Sequence, residues 1–264
     1  MITAGRIFKN SLFIITGNFL NKLISIALLV YLTNYLPPDE FGRYSFVIAY
    51  VAFFGIFTDL GINTLMTREI SNAAIPPSAG FAHSISLRGG LAVVTALAMN
   101  GSLYLMKYPQ EVITLALVAT AALFVSFRGI FLRNVFDVPF QVNLKMHTPA
   151  AVNFLNELAV LATVVWLIAD KASLVQLLSG IMLAYLPGFI AMAYLSTSLV
   201  RPSFSFDVKV WKRILKDAFP LGAAAFLEGV FIIIPVFLLS RLSTEESVGY
   251  YSLPFRLTAS LWII

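Results

Sequence analysis

Eight stretches of this chain are apolar on every face, at roughly 11–35, 41–67, 84–106, 111–132, 148–169, 174–196, 214–240 and 248–264. Most reach the ~20 residues a helix needs to cross a bilayer. Strands of a membrane barrel would instead alternate with a period of two. The connections are too short to fold as separate domains, so the pattern predicts one all-α integral membrane protein, a polytopic bundle of about eight transmembrane helices. The first two stretches form a hairpin around Leu36-Pro37-Pro38-Asp39-Glu40-Phe41-Gly42. Its first arm carries a polar stripe of Gly17, Asn18, Asn21 and Lys22. Its second arm ends in Asp59-Leu60-Gly61-Ile62, followed by Thr67-Arg68-Glu69.

Composition narrows the class further. Hydrophobic residues make up 59% of the chain and charged residues 12%, with a mean hydropathy of +0.87. Soluble domains carry about 25% charged residues, so a water-facing surface could not be covered here. Cys is absent, which removes disulfides, thiolate metal sites and Cys nucleophiles. The first apolar run follows Arg6 and Lys9, but it is longer than the ~7–15 residues of a signal h-region and ends without a small-residue cleavage site. It reads as a retained first span.

Charge sets the expected orientation. With the N-terminus in the cytoplasm, the inner ends hold Arg6, Lys9, Arg68, Arg88, Arg128, Arg133, Lys145, Arg201, Lys209, Lys212, Arg213 and Lys216. The outer ends hold only Arg43, Lys107, Lys171 and Arg241. The positive-inside rule selects that arrangement, in the cell (inner) membrane. The most basic connection, 201–217, reads as an amphipathic linker. Asp207 is placed to cap a short helix with Lys209, Lys212, Arg213 and Lys216 on one face and Trp211, Ile214 and Leu215 on another. Such a helix could lie on an anionic leaflet, or the charges could simply fix topology.

A shift of 207 residues lays 32–45, from Leu32-Thr33-Asn34 to Tyr44-Ser45, onto 239–252 without a gap, with Leu, Gly, Tyr and Ser identical. Both stretches join an outward helix to an inward one, as expected of a parallel repeat with six helices per unit. The expected organisation is a six-helix lobe over 1–200, the linker over 201–217, and the start of a second lobe over 214–264. The second unit then holds only its first hairpin, so the sequence is expected to be the N-terminal part of a longer protein.

Leu36-Pro37-Pro38-Asp39-Glu40-Phe41-Gly42-Arg43-Tyr44, Asp59-Leu60-Gly61-Ile62 and Thr67-Arg68-Glu69-Ile70 resemble the polysaccharide (O-antigen) flippases of the Wzx type. These belong to the multidrug/oligosaccharidyl-lipid/polysaccharide exporter superfamily. Val248-Gly249-Tyr250-Tyr251-Ser252, with Arg256 beyond it, resembles the family's junction between helices seven and eight. The resemblance implies a two-lobed helical bundle that moves a lipid-linked oligosaccharide to the outer leaflet by alternating access. Many members carry an acidic residue in helix seven near the position of Pro235; here the acid of that helix is Glu228, about two turns earlier.

Ionisable residues deep in apolar runs are costly, ~2.5–3.5 kcal/mol each on insertion scales, and so are functional candidates. Lys22 lies about 18 Å into the first helix, and Glu157 and Glu228 fall near mid-depth. Arg256 lies about ten residues into the eighth stretch. Lys22 and Arg256 suit the phosphate of a lipid-linked sugar. Asn18, Asn21, Asn153 and Asn156 suit its hydroxyls. For Glu157 and Glu228 two readings stand: coupling to Na+ or H+, or structural pairing with Lys22 or Arg256. Asp59 is expected near the cytoplasmic rim, pairing with Arg68 or capping a helix broken at Gly61. Arg68, Arg88 and Arg128 are expected at the same rim, setting topology or collecting an anionic headgroup. Bends are expected at Pro235 and Pro254, and close helix packing at Gly89-Gly90.

No nucleotide-binding glycine loop, metal-ligand spacing or Ser/His/Asp arrangement is legible, and His83 and His147 are isolated. The expected function is transport rather than catalysis, without a cofactor and without nucleic acid. Partners would be the lipid-linked cargo, membrane lipids and unspecified glycan-assembly proteins. An exporter of small amphipathic molecules is the near alternative. A membrane glycan-processing enzyme is the remote one, since the outer loops are too short for a catalytic face.

Overall fold

The structure, a computed structural model, describes the backbone of residues 4–201 and 203–261. It describes the side chains within them apart from those of 4–11, 225, 232, 256, 257 and 259–261. The described residues form helices and no strand. In chain order these are α1 (Ala4–Tyr35), α2 (Pro38–Gly55), α3 (Ile62–Ser71), α4 (Pro77–Leu105), α5 (Gln110–Ala119), α6 (Ala122–Val125), α7 (Val138–Val142), α8 (His147–Ala169), α9 (Leu174–Ser196), α10 (Val208–Leu242) and α11 (Glu245–Leu261). Six of the described helices are long and apolar enough to cross a membrane, and Gln110–Val125 is a shorter apolar helix. The protein is an all-α polytopic membrane protein.

Two of the expected spans are not continuous. The second breaks after Gly55 into a 3-10 turn, Ile56–Thr58, and then α3. Leu60 and Gly61 both have left-handed backbone, at φ 48° and 83°, and only glycine adopts that conformation without strain. The fourth stops at Val125, runs non-helically through 126–131, and resumes as a 3-10 turn, Leu132–Asp137. By contrast, α9, α10 and α11 stay helical through Pro187, Pro220, Pro235 and Pro254.

The amphipathic stretch, open to reading as a helix on the bilayer surface or as charges that fix topology, forms the first turns of α10. Asp207 caps it, accepting from the amides of Lys209 at 2.9 Å and Val210 at 3.2 Å. Ile214 and Ala218 are buried with Ile62, Leu65, Met66 and Ile70 of α3, and Trp211 and Leu215 pack on the same cluster. The apolar face therefore covers protein, while Lys209, Lys212, Arg213 and Lys216 stay exposed.

The repeat is visible in the helix ends. α1 and α10 end at Tyr35 and Leu242, and α2 and α11 begin at Pro38 and Glu245; both pairs are separated by the same 207 residues. The two hairpins meet reciprocally. A Cβ placed on Gly42 would lie 1.9 Å from the Glu245 carbonyl oxygen, and one on Gly249 would lie 2.6 Å from that of Pro38. Gly249 is the repeat partner of Gly42, and Glu245 that of Pro38. The contact is thus a local pseudo-two-fold crossing at which only glycine lets the backbones touch. Beside it Arg43 gathers three carboxylates: Asp39 at 2.6 Å, Glu245 at 2.9 Å, and Glu111. Gly89 and Gly90 were expected to pack closely. Neither has a neighbour within 4 Å of an added Cβ, because both lie away from the contact face of α4.

Candidate functional site

The polar stripe of α1 faces α8 and the non-helical stretch 126–131. Asn18, Asn21, Lys22 and Ser25 of α1, Phe127 and Arg128 of that stretch, and Asn153 and Glu157 of α8 line one cleft of about 390 Å³. Glu157 lies about 15 Å into α8, near the middle of a ~30 Å hydrocarbon core. Its side chain is 1% exposed and is saturated with donors. Arg128 Nε donates to Oε2 at 3.0 Å, Arg128 Nη2 donates to Oε1, and Ser25 Oγ donates to Oε1 at 2.8 Å. Lys22 is half-buried and makes no ion pair among the described residues. Asn153 is held by Arg133, whose Nη2 donates to its Oδ1 at 2.6 Å while Nη1 pairs with Asp137 at 3.2 Å.

Arg128 was expected at a rim. It reaches the cleft because segment four unwinds at Ser126. Non-helical backbone at membrane depth is tolerated only where its polar groups are satisfied or line a wet cavity. Here three successive carbonyls each have a side-chain donor in reach, the Thr58 hydroxyl being shared with Gly55 O at 2.8 Å. Asn134 Nδ2 donates to Gly129 O at 2.6 Å, Thr58 Oγ1 to Ile130 O at 2.7 Å, and Arg88 Nη2 to Phe131 O at 2.6 Å. Arg88 was also expected at the rim but is fully buried. It further donates to Thr58 O at 3.2 Å and Asn63 Oδ1 at 2.6 Å, and pairs with Asp59 at 3.3 Å. One guanidinium thus ties the two helix breaks together. Asp59 caps its own break, accepting from the amides of Gly61 at 3.1 Å and Asn63 at 3.0 Å. Its ion partner is Arg88 rather than Arg68; Arg68 is exposed and pairs with Glu69 at 3.1 Å.

Two further candidates lie elsewhere. Asn156 turns from the cleft into the α8–α9 contact, donating to Ala184 O at 2.6 Å. It sits so close to Gly188 that a Cβ there would meet its Oδ1 at 1.8 Å. Glu228 lines a separate, mainly apolar hollow of about 220 Å³, with Ala49, Phe53 and Ile56 of the second segment and Gly129 and Ile130. The stretch 126–131 is therefore the wall shared by the two hollows. The side chain of Arg256 lies outside the described residues. Ser25 and Phe127 are not among the candidates the sequence offers, and Arg133 is expected there only at the cytoplasmic end, setting topology or collecting a headgroup. The one available signal was Ser126-Phe127-Arg128-Gly129, a small, charged and helix-weakening run inside an apolar segment.

A helical membrane protein with a charged, amide-lined cleft sunk into its bundle is the class these features define. The chain belongs to the polysaccharide biosynthesis protein family, whose family model matches residues 7–263. This is the family of the Wzx-type flippases of the multidrug/oligosaccharidyl-lipid/polysaccharide exporter superfamily. No curated protein and no solved structure matches the chain.

Proposed function

We propose that this protein carries a lipid-linked oligosaccharide from the cytoplasmic to the outer leaflet of the cell membrane by alternating access between its repeat units. The observation that carries the reading is the cleft at mid-depth. A glycan needs hydroxyl partners inside hydrocarbon, and Asn18, Asn21 and Asn153 offer carboxamides on two facing helices. Its phosphate needs a cation, and Lys22 stands there with no carboxylate partner among the described residues. The work is translocation, with no bond made or broken, and a coupling Na+ or H+ would be carried by Glu228, or by Glu157 once it is released from Arg128. The N-terminus is assigned to the cytoplasm, which puts the exposed Lys209, Lys212, Arg213 and Lys216 inside.

Lys22→Ala should lower surface glycan in cells by more than roughly tenfold, the scale of one lost charge-assisted contact, while membrane insertion stays normal. Undiminished export would remove the cleft from the transport path. The chain has no native Cys, so single-cysteine labelling is clean. Cysteines at Asp39 and Glu245 should react with impermeant maleimide in intact cells, and one at Lys212 only after lysis; the opposite pattern would reverse the orientation.

A further inference from the structure

We propose that Glu157 is an internal stand-in for the cargo's phosphate: it occupies Arg128 in this state, and the cargo's anionic group displaces it. The inference rests on the cleft being the cargo path, and it adds the ligand and the competitor. The carboxylate of Glu157 meets Arg128 through Nε and Nη2, the two-pronged geometry by which a guanidinium also grips phosphate. The backbone that carries Arg128 does not depend on Glu157. It is fixed by Asn134, Thr58 and Arg88, and the Arg128 amide donates to Ser126 Oγ at 3.1 Å. Removing the carboxylate therefore leaves the backbone platform in place and the guanidinium without its anion. Arg128 lines the cleft and keeps 28% of its side chain exposed, against 1% for Glu157, so it is the more open member of the pair.

Displacement leaves no charge stranded. Lys22 and Ser25 are three residues apart on α1, on one face, and both line the cleft with Glu157. Ser25 already holds Oε1 at 2.8 Å, and the Lys22 ammonium is the cation toward which a released carboxylate can turn. Buried carboxylates that lose their partner outright are strongly penalised, and this second cation removes that penalty. Cargo binding would then convert an Arg128–Glu157 pair into an Arg128–phosphate contact, with the three donors of the Lys22 ammonium bridging that phosphate and the released Glu157 carboxylate, a change of partners between α1, α8 and the 126–131 stretch. Those elements frame the cleft, so the exchange would report cargo to the helices that must move.

The test is binding of inorganic pyrophosphate to the full-length protein in nanodiscs of zwitterionic lipid, followed calorimetrically. Glu157→Gln keeps the size and the Ser25 contact but removes the competing charge. It should tighten binding by roughly tenfold, the scale of one charge-assisted contact. Ser25→Ala, which only loosens Glu157, should tighten it by a smaller factor. Arg128→Gln should abolish it. If Glu157→Gln weakens binding to the level of Arg128→Gln, Glu157 merely orients the arginine and the idea is overturned. Wild-type binding by Arg128→Gln overturns it as well. Repeating the titration with anionic phospholipid in the disc separates cargo from bilayer. Unchanged pyrophosphate affinity supports a cargo site, and its disappearance would make this a headgroup site and reject the proposal. Export by Asn18→Ala, a cleft residue with no part in the exchange, is read separately: lost export with the pyrophosphate results above unchanged keeps the exchange, and normal export speaks against the transport reading alone.

Discussion

Replacing Arg88 by Leu is expected to destabilise the protein by about 3–5 kcal/mol, the range for breaking a buried ion pair from one side. The side chain is fully buried and its donors serve Thr58 O, Phe131 O, Asn63 Oδ1 and Asp59. Leucine fills a similar volume but leaves the carboxylate and two carbonyls without this donor inside the bundle. Asp59 would retain its contacts with the Gly61 and Asn63 amides, which satisfy hydrogen bonding but not its charge. Both helix breaks should loosen together, because Arg88 is the group common to them. The measurement is the temperature at which half of the detergent-solubilised protein ceases to elute as a single species. Arg88→Lys should fall between wild type and Arg88→Leu, since an ammonium keeps the charge but cannot reach three directions in one plane. A melting temperature for Arg88→Leu equal to wild type would show that the breaks are held by their backbone alone.

The second large effect is expected at the glycine crossing. Gly42→Ala and Gly249→Ala each place a methyl against backbone rather than against a side chain that could rotate away. The helices must separate, and overpacking of this kind typically costs about 1–3 kcal/mol. Gly42→Ala should be the more damaging, since its Cβ lies 1.9 Å from a carbonyl oxygen against 2.6 Å for Gly249. The two residues share one contact, so the double variant should cost clearly less than the sum of the singles. Thermal scans of the four proteins give the comparison directly. Additive losses would mean that the two glycines act at independent places and that the reciprocal contact is not a unit.

The bilayer makes some features of this protein readable from one sequence. Backbone groups in hydrocarbon must be satisfied within the chain, so long apolar runs become helices whatever their neighbours. That constraint alone yields the all-α class and the approximate spans. The Leu36–Ser45 motif and its echo at 243–252 yield the family and the register of the repeat. The stripe Asn18-Asn21-Lys22 is likewise legible, because polar residues at helical spacing in an apolar run are too costly to face lipid. Asp207 is legible as a cap for the same local reason: its carboxylate needs only the amides two and three residues on.

Other features depend on partners far away in sequence. Asp59, in the break before α3, and Arg88, on α4, are 29 residues apart, so charge spacing pointed to the nearer Arg68. Arg128 looked like a topology residue because a continuous helix through 111–132 would carry it to the rim. The helix stops at Val125 because donors from Thr58, Arg88 and Asn134 stabilise an unwound stretch at that depth. Asn156 shares a helix face with Asn153 by spacing. Yet one is drawn to Arg133 at the cleft and the other to Ala184 on α9, a division that only the packing of α8 against its two neighbours creates. The sequence by itself determined the membrane class, the repeat and half of the cleft, since those follow from local solvation and periodicity. Tertiary structure alone decided which arginine enters the cleft, which carboxylate meets it and where the spans break, since each depends on donors brought together from distant parts of the chain.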